Sequence, residues 1–135
     1  MRDYVRLQTA ILLRRLAYQV SRAAKSGDAE SIHDLRVAIR RFSRCLRVFA
    51  QFYPGSSWKK IRHKLSGLMA AAGAVRDLDI AMELLAGAGR GGSRQLLAKL
   101  EQERLRVNRE LSQEVHHWNR QGFSKKWRTA LGLSA

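Results

Sequence analysis

The chain has 135 residues, 45% of them apolar, and carries 26 Lys and Arg against 11 Asp and Glu, a formal net charge of +15. That is enough for one domain with a real core, and it excludes wholesale disorder. A lone cysteine, Cys45, excludes an internal disulfide framework and a cysteine-rich zinc site.

The chain reads as helix nearly throughout, with no sustained period-two alternation to suggest strands. A first helix is predicted over 3–25. Gly27 is its stop and Asp28 the N-cap of a second helix over 29–52. Tyr53-Pro54-Gly55-Ser56 is the strongest breaker in the chain. Ser57 then caps a third helix over 58–85, in which Gly73 is a candidate bend. Gly87-Ala88-Gly89-Arg90-Gly91-Gly92 reads as a flexible connection. Ser93 caps a fourth helix that reaches about Trp118. Ser124 caps a short basic helix anchored by Phe123, Trp127 and Leu131.

Short connections between long helices predict an all-α, antiparallel four-helix bundle over 1–120, with 121–135 as a basic C-terminal tail. The longest uncharged stretch, Ser66 to Val75, is too short to span a bilayer. The N-terminal apolar run is broken too early for a secretory signal. The expectation is a soluble cytoplasmic chain with no membrane partner.

A charge of +15 concerns partners rather than fold, and polyanions are the natural ones. The second helix says where part of that charge lies. On a helical wheel, Leu35, Ile39, Phe42, Leu46, Phe49 and Tyr53 share one face. His33, Arg36, Arg40, Arg44 and Arg47 fall opposite, within an arc of roughly 80° and along a line about 20 Å long. Solvated helix faces ordinarily mix signs. This one is a ladder of Arg headed by a His, with no acid in it, and neighbouring like charges repel by a few tenths of a kcal/mol per pair. Arg presents a planar fork of donors that suits phosphate oxygens.

The segment Ile32-His33-Asp34-Leu35-Arg36-Val37-Ala38-Ile39-Arg40-Arg41-Phe42-Ser43-Arg44 resembles the signature helix of the CHAD domain, the conserved-histidine α-helical domain. Gly73-Ala74-Val75-Arg76-Asp77-Leu78-Asp79-Ile80 resembles that family's Gly-x-x-Arg-Asp-x-Asp segment, in the expected order. The resemblance covers about residues 1–120. It implies a helical fold that binds inorganic polyphosphate in a basic groove, in some members at polyphosphate granules. It adds Arg41 and Arg76 to the candidate contacts. Members generally contain two four-helix units. This chain matches one, of the N-terminal type, so the resemblance implies a homodimer that rebuilds the groove, or a half-length form.

Further candidates come from the residues themselves. Lys59, Arg62, His63 and Ser66 cluster at helical spacing on the third helix and are positioned to deepen a cationic groove. Ala70, Ala71, Ala72 and Gly73 allow either close helix approach or room for a ligand chain. Asp77 and Asp79 point to different sides of a helix, so they suit orienting an Arg better than sharing a metal ion. On the fourth helix Arg104 interrupts the apolar line of Leu97, Leu100, Val107, Leu111, Val115 and Trp118. It either pairs with an acid or reaches the groove. Arg14 holds a comparable place among Tyr4, Leu7, Ile11 and Tyr18. His116 and His117 read as surface residues, and Cys45 as packing.

No clustered carboxylates, phosphate loop or activated nucleophile is recognisable, so no enzymatic activity, cofactor or metal is expected. No aromatic residue interrupts the Arg stripe. That favours an inorganic phosphate chain over single-stranded nucleic acid, which remains the alternative partner on the same face.

Overall fold

The structure, a computed structural model, describes residues 1–88 and 93–133. Among these, five α-helices and one short 3-10 turn account for the regular structure. They are α1 Arg2–Lys25, α2 Ala29–Val48, the 3-10 turn Ala50–Phe52, α3 Ser57–Ala88, α4 Ser93–Gln121 and α5 Phe123–Ala130. The chain is an all-α, antiparallel four-helix bundle. Each of the four long helices packs on two neighbours, and α5 lies against α1, α3 and α4.

Each boundary has a local cause. Asp28 caps α2 by accepting from the Ser31 N–H at 2.9 Å. Gly27 matters for a reason other than backbone freedom. The helix ends one residue earlier, at an extended Ser26, and a Cβ on Gly27 would meet the Asn108 side chain at 2.5 Å. An added methyl group there would have to displace the Asn108 side chain of α4.

Several points differ from expectation: α3 runs on to Ala88, and Ser93 is already part of α4. The second helix ends at Val48, because the chain tightens into the 3-10 turn before Tyr53 turns extended. Ser57 lies inside α3, and Lys59 N–H reaches back to the Ser56 carbonyl at 3.1 Å. Gly73 does not interrupt α3, whose neighbouring turns continue the helix through it. Ser124 is not the cap of α5. Gly122, left-handed at φ 63°, redirects the chain there, a conformation cheap only for glycine. Of the predicted connection over 87–92, Gly87 and Ala88 belong to α3, and 89–92 lie outside the described residues.

The core runs the length of α2 through Ile32, Leu35, Ile39, Phe42 and Leu46, and meets Leu13 and Leu16 of α1 and Leu65 and Leu68 of α3. Phe123, Trp127 and Leu131 are buried in this same core. Trp127 stacks on Phe42 at 6.1 Å and meets Trp118 edge-on at 5.2 Å. Burying such rings supplies large apolar area and geometric specificity together.

Helix α1 corrects one expectation. Its inward face is Val5, Thr9, Leu13, Leu16, Val20 and Ala23. Tyr4, Leu7 and Tyr18 are 56%, 59% and 65% exposed. Arg14 therefore stands on the outer surface, and not on a core line. Two apolar stripes at the same spacing compete on this helix, and the one with smaller side chains turns inward.

Helices α3 and α4, with 32 and 29 residues, outreach α1 and α2, with 24 and 20. Past Asp79 on α3 and before Val107 on α4, no described residue is buried. Ile80, Leu84, Leu96, Leu97 and Leu105 stand exposed on this overhang. Leu97 thus leaves the core line predicted for α4, because no third helix reaches that level.

Candidate anion-binding groove

The side of α2 that carries Arg36, Arg40 and Arg47 faces α3, and a groove of about 360 Å³ lies between the two helices. Its walls include Arg40 and Ser43 from α2, with Ser66, Met69 and Ala70 from α3. Arg62 Nε donates to Ser43 Oγ at 3.1 Å, which fixes the register across the groove. Arg36 and Arg47 follow Arg40 at helical spacing along the same side of α2. Lys59 lies next to this row with its ammonium 5.6 Å from the Trp58 ring. Arg76 is half-buried further along α3, with a long contact of 3.8 Å to Glu83.

Small residues follow one another along this stretch of α3. A Cβ added to Gly73 would meet nothing within 4 Å. Ala72 is fully buried and brings the helices together, while Ala70 lines the opening.

The ladder is free of acids because the acids of α2 are elsewhere. Asp34 accepts from Arg22 Nη1 at 2.5 Å and Glu30 lies 3.7 Å from the same guanidinium, both toward α1. Among the described residues, Arg36, Arg40, Arg44 and Arg47 have no ion-pair partner. The Arg36 Nε is buried without a hydrogen-bond partner. A buried donor left unsatisfied is costly, so this one is a standing demand for an acceptor. Arg106 is the contrasting case. It pairs with Glu103 and Glu110 on one exposed helix face, and the Glu103 hydrogen bond raises its pKa.

These features fall on the helix that carries the Arg ladder. The model of the CHAD domain matches residues 8–135. The chain belongs to the CHAD domain family. The match runs through the tail and α5, beyond the reach of the sequence resemblance. No curated protein and no solved structure matches the chain.

Within this CHAD chain the predicted contacts separate into two groups. Arg40 lines the α2–α3 groove and Arg62 donates to Ser43 in its wall, while Arg36 and Arg47 share that side of α2 by helical spacing, His33 and Arg44 are exposed on α2, and Lys59 and Arg76 stand on α3. Four others lie apart. His63 turns to a different pocket, with His117 and Trp118 of α4. Arg41 and Arg14 line a crevice between α1 and α2. Arg104 is held by Asp79 and the Gly27 carbonyl, with Nε–Oδ1 at 2.5 Å and Nη2–O at 2.8 Å. Asp79 thus orients an Arg, while Asp77 is exposed. Sequence reasoning missed Arg22, which removes both acids from the ladder, and Ser43, which anchors Arg62. Each acts across a helix pair, where periodicity gives no signal.

No described helix is long and apolar enough to cross a membrane.

Proposed function

We propose that the chain binds inorganic polyphosphate along the α2–α3 groove and performs no chemistry on it. The observation that carries this reading is the acid-free Arg row of α2 facing Arg62 of α3, with the Arg36 Nε buried and unpartnered. A linear polyanion with evenly spaced charge needs many similar contacts rather than one shaped pocket. Arg forks at helical spacing supply them. The family's association with polyphosphate points the same way. Localisation in the cytoplasm, at polyphosphate granules, follows from this reading.

We further propose that two copies pair through the overhang of α3 and α4. Its leucines stand exposed among the described residues. A two-fold pair would bring two grooves together.

The test is a titration of long-chain polyphosphate, duplex DNA and single-stranded RNA at matched salt, with Arg36→Glu/Arg40→Glu as control. Polyphosphate binds tightest, and the double variant loses it while keeping its helical spectrum. Equal affinity for all three polymers would make the chain a nonspecific nucleic-acid binder on the same face. Sedimentation of the native chain and of Leu84→Glu decides the pairing.

A further inference from the structure

The crevice between α1 and α2 is built differently from the groove and lies on the other side of α2. It has a volume of about 430 Å³, within the ordinary range of small-ligand sites. Its floor is carbon from Leu12, Val37 and Ala38, and the Tyr18 ring forms part of the wall. Arg14, Arg15 and Arg41 line the same space. None of the three has an ion-pair partner among the described residues. Asp34 is there too, but its carboxylate is engaged by Arg22 at 2.5 Å.

We infer that this crevice is a second, separate site for an amphipathic organic anion, a phosphate monoester with an apolar tail. The tail lies on Val37 and Tyr18, and the phosphate is held among Arg14, Arg15 and Arg41. Two simpler ligands fit worse. A polyphosphate chain has no apolar part, so the carbon floor contributes nothing to holding it. A neutral apolar molecule leaves three like charges unneutralised around the opening. A second copy of this chain brings the same three cations to the contact. One molecule with both characters satisfies floor and rim together. The head is a phosphate monoester rather than a carboxylate because three guanidinium forks offer more donors than two oxygens can accept.

Isothermal titration of the full chain tests this with octyl phosphate below its micellar concentration, against inorganic phosphate and octanol. Octyl phosphate binds at least tenfold tighter than either. From butyl to octyl phosphate each added methylene strengthens binding by about fourfold until the crevice is full. Arg41→Ala and Tyr18→Ser each weaken octyl phosphate at least fivefold, and circular dichroism confirms that both stay folded. Arg40→Ala, on the groove, leaves octyl phosphate binding unchanged. Saturating polyphosphate does not displace the ligand. Equal binding of inorganic and octyl phosphate, insensitivity to Arg41→Ala and Tyr18→Ser, or displacement by polyphosphate overturns the inference. Octyl phosphate binding in a chain that fails to bind polyphosphate would leave this site standing and remove the groove's.

Discussion

Arg104 on α4 donates through Nε to Asp79 on α3 at 2.5 Å, and through Nη2 to the carbonyl of Gly27 at 2.8 Å. One guanidinium thus ties α3, α4 and the α1–α2 connection at the level where the bundle gives way to the overhang. The two side chains are 21% and 10% exposed, so this pair is far better shielded from solvent than the pairs of Arg106.

Breaking a largely buried pair by removing one partner leaves the other charge uncompensated. Asp79→Ala is expected to lose about 3 kcal/mol of stability in urea denaturation. Its folded form keeps polyphosphate affinity within twofold, because Arg104 stands outside the groove. A large loss of affinity at full folding would return Arg104 to the binding set.

The same junction sets a steric condition. Gly27→Ala pushes a methyl group into Asn108, whose side chain lies 2.5 Å from the added Cβ. The expected cost is about 1–2 kcal/mol. Asn108→Ala in the same chain should recover most of it, a non-additive pair in a double-mutant cycle. Additive losses would show that Gly27 matters for its backbone alone.

Beneath the first turns of the bundle, the hydroxyls of Thr9 and Tyr53 are 2.7 Å apart and buried, with Cys45 Sγ 3.6 Å from the Tyr53 oxygen. Burial raises the Tyr53 pKa. Tyr53→Phe leaves the Thr9 hydroxyl with only the weak thiol partner and costs about 1–2 kcal/mol. Adding Thr9→Val should recover part of that loss in the same denaturation assay.

Acid weakens the start of α2. Hydrogen bonding from Ser31 holds the Asp28 carboxyl below its ordinary value. A carboxyl depressed in the folded state stabilises it above the ordinary pKa of about 4, and that contribution disappears as pH falls through the folded value. At pH 7 Asp28→Ala should melt a few degrees below the native chain, with the gap closing toward pH 2. A gap that persists there would assign the effect to something other than the charged cap.

Salt distinguishes groove contacts from bystanders. If the α2 row neutralises phosphates, Arg40→Ala makes the plot of log affinity against log salt shallower by about 0.7–0.9 for polyphosphate, by analogy with nucleic-acid backbones. Arg41→Ala, which faces the α1–α2 crevice, leaves that slope unchanged. Equal effects of the two would place both on one binding surface.

The sequence by itself determined that the chain is helical, that it breaks near Gly27 and at Tyr53-Pro54-Gly55, and that Arg36, Arg40 and Arg47 share a side of one helix. Those properties are local: helical periodicity sets which side chains share a face, and Asp28 and Pro54 act within a few residues of themselves. Only the tertiary structure decided what each side faces. Arg40 and Arg41 are neighbours in sequence, yet one lines the groove toward α3 and the other the crevice toward α1. The inward stripe of α1 and the partners of Arg104 were equally out of reach. Gly27 lies 77 residues from Arg104 in the chain. Such choices depend on which surfaces a neighbouring helix can bury, and periodicity within one helix carries no record of its neighbours.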